Sequence, residues 1–139
     1  MGNRAVIAFG KKQDSLGIYL HWNGGVESVL AFLHATDKLG HRDPMVDNYG
    51  IARMCQVIGN FFGGTTSIGV DTLKRLDCDN RDNGVFYVDY GWEIDSRKFN
   101  RSDDTAMRVS DLTAKQREYY EGVLASVLEK NREPQKEAA

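Results

Sequence analysis

The sequence predicts an α+β fold, a mostly antiparallel sheet with helices packed on one face and a C-terminal helix. Three observations carry this. Two short apolar runs, residues 4–9 and 16–22, flank a polar turn, the pattern of a β-hairpin. Two segments with apolar residues at helical spacing follow at once. An alternating run at 85–95 then returns the chain to the sheet before a last helical segment, giving the order β-β-α-α-β-β-α.

Each element has its own local reason. Arg4 to Phe9 and Leu16 to Trp22 read as strands, and Gly10 to Ser15 between them, with Lys11 and Lys12, as the turn. Val26, Val29, Leu30 and Leu33 set a helix over Val26 to Leu39, stopped by Gly40 with Pro44 beyond. Asp47 or Asn48 opens a second helix running to Phe62, with Ile51, Met54, Cys55, Ile58, Phe61 and Phe62 as its buried stripe. Gly63 and Gly64 end it, and Thr65 to Val70 is β-like. Residues 76–84 are dense in turn formers and close on Asn83-Gly84. Val85 to Asp95 reads as one long strand with Phe86, Val88, Tyr90, Trp92 and Ile94 on one face and Tyr87, Asp89, Glu93 and Asp95 on the other. Residues 96–112 read as a polar, basic arm. Thr113 and Gln116 form a capping box for a last helix to Asn131, with a stripe of Tyr119 or Tyr120, Val123, Leu124, Val127 and Leu128. The expected organisation is a ligand-binding core over 1–100, an arm and helix over 101–131 and a disordered tail over 132–139.

Composition bounds the function. The 139 residues suit one domain with a proper core. Apolar content of 41% and charged content of 27% are those of an ordinary globular chain. A net charge of −2 gives no general pull toward nucleic acid or anionic membranes. No apolar run approaches the ~20 residues of a membrane-spanning helix. Residues 1–4 lead straight into a strand, so no secretory leader is expected. Cys55 and Cys78 match no metal motif, and a cytoplasmic setting fits them.

The candidate binding surface is the corner His21-Trp22-Asn23-Gly24-Gly25, where the second strand meets the first helix. A helix N-terminus carries unpaired N–H groups and partial positive charge, and glycines let a phosphate approach the backbone. Trp22 offers a flat face; His21 and Asn23 offer polar contacts. The alternative is a tight strand-to-helix turn in which Trp22 caps the core. Neither a Walker loop nor a dinucleotide fingerprint is present, since Val-Glu-Ser follows the glycines. Arg53 interrupts an apolar face of the second helix and so calls for an anionic partner, a carboxylate of the chain or a ligand phosphate. Phe86 or Tyr87 could add a second aromatic face, and Arg97, in Arg-Lys-Phe-Asn-Arg, could clamp an anion. Thr65, Thr66 and Ser67 form a weaker second corner. Asp77, Asp79 and Asp82 do not make a calcium loop, because Arg81 and Asp82 stand where an EF-hand needs an oxygen ligand and a glycine; a solvated turn is expected. Cys78 among these carboxylates should have a raised pKa, which argues against a nucleophile. His21, His34 and His41 make no local metal signature, and no nucleophile elbow exists. No enzyme, metal or cofactor is expected.

Four segments, Gly2–Ile7, Ile18–Gly25, Gln56–Gly64 and Leu76–Val85, resemble short proteins carried by phages, prophages and plasmids. The likeness spans about residues 2–98. Among anti-defence proteins of this length the chain looks most like the anti-Thoeris nucleotide sponges. That resemblance implies capture, without chemistry or cofactor, of cyclic ADP-ribose isomers or cyclic oligonucleotides. It also implies a homo-oligomer in the cytoplasm of a bacterial host. The site residues come from the local reading alone. Two other functions fit the same sequence. One is a protein-binding inhibitor of a defence complex such as a CRISPR effector, using the carboxylates of Asp77, Asp79, Asp82, Asp89, Glu93, Asp95, Asp103 and Asp104 as a nucleic-acid mimic. The other is a small nucleotide-acting enzyme with an essential His or Asp.

Overall fold

A computed structural model describes residues 2–65, 67–98 and 106–132. One sheet of five strands carries β1 (Ala5–Ala8), β2 (Leu16–Leu20), β3 (Ile68–Thr72), β4 (Val85–Asp89) and β5 (Glu93–Lys98) in the order β3-β2-β1-β4-β5. Three pairs are antiparallel and β1–β4 is parallel, so the fold is α+β with a mixed, mostly antiparallel sheet. The helices are α1 (Val26–Lys38), α2 (Asn48–Phe62) and α3 (Ala114–Lys130).

Strand alternation divides the sheet into two faces. Ala5, Ile7, Ile18, Leu20, Phe86, Val88 and Ile94 pack on the helices together with Val29, Leu30, Leu33, Met54, Ile58 and Val127. Val6, Ala8 and Val85 point the other way and are covered by Leu73, with Leu76 and Cys78 beside it. β1 is therefore buried on both faces, which accounts for its unbroken apolar run.

The segment after β3 leaves Asp77, Asp79 and Arg81 exposed, as a solvated turn would, but it is also pinned from inside. Its anchor is the buried Asn80, whose Nδ2 donates to the carbonyls of Asp77 (3.0 Å) and Gly84 (3.1 Å). The Asn80 Oδ1 accepts from the backbone N–H of Asp82 and of Gly84. Arg4 Nε donates to Asp82 at 2.8 Å and ties the segment to β1.

The expected single strand over 85–95 is instead the hairpin β4–β5, turning through Tyr90, Gly91 and Trp92. Gly91 (φ 79°) and Trp92 (φ 62°) both take the left-handed conformation the turn needs. Val88 pairs with Ile94 and Asp89 with Glu93, so partners share parity and the alternation runs on unbroken through the reversal. Tyr90, expected inside, sits at the tip and is exposed. β5 also extends into what reads as a polar arm, as far as Lys98. Residues 99–105 of that arm and the tail 133–139 lie outside the described residues.

The starts of α2 and α3 follow their caps. The Asp47 side chain accepts from Tyr49 N, and that bond, ahead of Arg42, holds the carboxyl pKa below its usual value. Thr113 Oγ1 accepts from Gln116 N while Gln116 Oε1 accepts from Thr113 N, the reciprocal box expected. α3 lays Tyr120, Val123 and Val127 against its own chain, chiefly α1, and leaves Tyr119 exposed. Tyr120 and His34 join the two helices at 2.6 Å.

Candidate functional site

The corner after β2 keeps its indole open. Trp22 is 42% exposed, and its ring meets His21 edge-on at 5.1 Å. His21 is held in turn by Tyr19, Oη to Nδ1 at 2.9 Å. Asn23 takes the left-handed conformation (φ 57°), a region asparagine tolerates, and its Nδ2 donates to Ser28 Oγ in the first turn of α1.

Gly24 serves the fold, which corrects its part in the expected phosphate cradle. The Gly24 N–H donates to the Asn3 carbonyl at 2.8 Å. A Cβ on Gly24 would lie 2.5 Å from that oxygen and 2.8 Å from Ala5 Cβ, so glycine is required by the close approach of β1. Gly25 is the N-cap of α1. Glu27 supplies the negative charge of the first turn, and its carboxylate would lie 3.6 Å from a Cβ on Gly25. That carboxylate complements the positive end of α1 and competes with an incoming anion.

What the corner does border is a groove of about 580 Å³. Asn23 and Phe61 form one side, and α3 forms the other through Lys115, Glu118, Tyr119, Gly122, Ser126 and the edge of the buried Val123. Tyr119 is 52% exposed. The size lies within the range of small-ligand clefts. Lys115 is the cation of this groove and Glu118 its carboxylate. α3 is the part of the site that the sequence reading missed. The available signal was its narrow apolar stripe, which leaves Tyr119 and the small residues Gly122 and Ser126 off the core face.

The other predicted residues are dispersed. Phe86 is fully buried, so it cannot stack a ligand; its ring is covered by the Arg97 guanidinium at 4.3 Å. A register shift between Tyr87 and Val88 changes the strand parity and brings Arg97 opposite Phe86 on the helix-side face. Arg97 Nη1 donates to the Ala106 carbonyl, so this guanidinium holds the arm to the sheet. Tyr87 belongs to the opposite face, beneath Lys11 at 5.7 Å. Arg53 does not sit on an apolar face: it is exposed, donates to Gln56 Oε1 at 3.1 Å, and lines a different pocket.

Four of the carboxylates offered as an acidic mimic are engaged within the chain, while Asp77 and Asp79 are exposed. Asp82 holds Arg4, Asp95 holds Lys11 at 2.7 Å, and Glu93 holds Arg108 at 2.8 Å. Asp89 accepts from Tyr90 N, and Asp103 and Asp104 lie outside the described residues. The Cys78 thiol is pushed up, by burial first and by Asp77 second; Cys55 is pushed up by burial. Neither thiol has the electropositive surroundings of a nucleophile. Among the described residues no three His, Cys, Asp or Glu side chains gather as metal ligands, and no helix is long and apolar enough to cross a membrane. No family model, curated protein or solved structure matches the chain, so the functional reading rests on the groove and on the residues that line it.

Proposed function

We propose that this chain captures a nucleotide signal without transforming it, and that the groove between the Trp22–Asn23 corner and α3 is the place of capture. The observation that carries the reading is the open indole of Trp22 next in the chain to Asn23, which lines a groove with exposed Tyr119 and Lys115. A purine could stack on Trp22 or Tyr119, a contact worth about 1–3 kcal/mol. Lys115 would meet a phosphate, in place of the Arg53, Arg97 and glycine N–H groups suggested by sequence. Asn23 would read ribose or base edges. The phage-type likeness narrows the ligand to a cyclic ADP-ribose isomer or a cyclic oligonucleotide, and the role to anti-defence. It also favours assembly into dimers or larger oligomers, which native mass spectrometry reads directly.

A sponge must outcompete the signal's effector, so the Kd must be sub-micromolar, about −8 kcal/mol or better. Calorimetric titration with cyclic ADP-ribose isomers and cyclic dinucleotides should give such a Kd for one of them. Heat denaturation of the complex should return the ligand intact. Trp22→Ala and Lys115→Ala should each weaken binding about tenfold or more. Absence of binding, or recovery of a cleaved product, rejects the reading.

A further inference from the structure

A second pocket, of about 410 Å³, is lined by the end of α1, the α1–α2 connection, α2 and the C-cap of α3. Leu39, His41, Arg53, Gln56, Val57, Asn60 and Asn131 line it, and none of these belongs to the groove described above. Arg53, Gln56 and Asn60 are spaced three and four residues apart and so form one polar stripe along α2. His41 faces them from the α1–α2 connection, and Asn131, the C-cap of α3, closes the end.

The polar inventory of this pocket is lopsided toward donors. Arg53 Nη1 donates to Gln56 Oε1, which occupies the amide oxygen and leaves the NH₂ end of Gln56 as the group that can donate. The Asn60 amide donates to Asn131 Oδ1 at 2.9 Å, occupying that acceptor as well and leaving Asn60 Oδ1 as the amide oxygen against these donors. The helix-end carbonyls nearby already have donors. Ala35, Thr36 and Asp37 accept from Leu39, His41 and Gly40, and Val57 and Val127 accept from Asn131 Nδ2. Among the described residues no carboxylate lines the pocket. Two side chains able to carry positive charge thus share one concave space with no acid among its described lining residues. Consistent with this, burial and then Arg53 lower the His41 pKa.

We infer that this pocket is a second, independent site for a small phosphate-bearing anion, gripped by the Arg53 guanidinium with His41 and Gln56 as further donors. The planar fork of Arg53 suits paired phosphate oxygens. A dianion beside both cation-capable groups would favour protonated His41 and would use the Gln56 NH₂. Leu39 and Val57 supply an apolar floor for the organic part of a phosphate monoester.

Titration of the full chain with inorganic phosphate, at constant ionic strength set by chloride, tests this by nuclear magnetic resonance. The His41 ring and the Gln56 and Asn60 side-chain amides should shift saturably at millimolar phosphate, and the His41 pKa should rise. Arg53→Gln, a change at an exposed position, should weaken the response about tenfold. His41→Asn should weaken it too, while Trp22→Ala should leave it unchanged, which separates this site from the groove. A linear, non-saturating response would overturn the inference. So would a response that Arg53→Gln leaves intact, or saturation by acetate and not by phosphate.

Discussion

At the scale of single residues, Gly24 separates a structural reading of the corner from a ligand-holding one. Its amide is engaged by Asn3, and a methyl group there would press on the backbone of Asn3 and Arg4. Gly24→Ala should therefore destabilise the protein by about 1–3 kcal/mol in chemical denaturation, with or without ligand. A variant as stable as the parent would mean that β1 and the corner are not in this contact. His34 offers a second residue-scale test. Burial between α1 and α3 lowers its pKa, against the opposing pull of Glu93 and Asp37 and with a smaller push from Lys38. A depressed folded pKa means that the unfolded chain binds the proton more readily in the window below about pH 6.5. The neutral ring's contribution is thus complete above that pH and is lost as pH falls toward the folded value. His34→Gln should flatten the fall of Tm between about pH 6.5 and pH 5 relative to the parent, with His41 a background common to both. Equal slopes in the two proteins would remove His34 from that role.

At the scale of elements, the segment 73–84 acts as a cover for the second face of the sheet, with Asn80 as its pin. Asn80→Ala removes four hydrogen bonds to buried or half-buried backbone groups and should cost on the order of 3 kcal/mol by urea denaturation. A loss under about 1 kcal/mol would show that the cover holds without it. Most element boundaries were legible because they depend on local chemistry: Asp47 and Thr113 as caps, Gly40 and Gly63 as stops, and helical spacing at Val26 to Leu33. Hairpin β4–β5 was not, since its register keeps residue parity across the turn and imitates a single alternating strand. The covering segment was hidden for a related reason. Its turn formers are those of a solvated loop, and what sets Asn80 apart is the set of carbonyls and amides it reaches.

At the scale of the whole molecule, the candidate site joins distant parts of the chain. The corner at Trp22 and Asn23 was legible as an open aromatic and polar bend. Its opposite wall on α3, more than ninety residues further on, needs the docking of Tyr120, Val123 and Val127 onto α1 and α2, which residue order does not reveal. Phe86 and Arg97 failed as site residues because a shift in strand register turns them toward each other inside the fold. The chain contains two tryptophans that report separately on the core and on the corner beside the groove: Trp92 is 2% exposed, whereas Trp22 is open at the corner. The most direct measurement follows both indole N–H resonances while a cyclic ADP-ribose isomer or a cyclic dinucleotide is added. The account predicts that the Trp22 signal moves to saturation at one ligand per chain while the Trp92 signal stays in place. A saturable shift confined to Trp92, or no shift of Trp22 under conditions where calorimetry records binding, would contradict it.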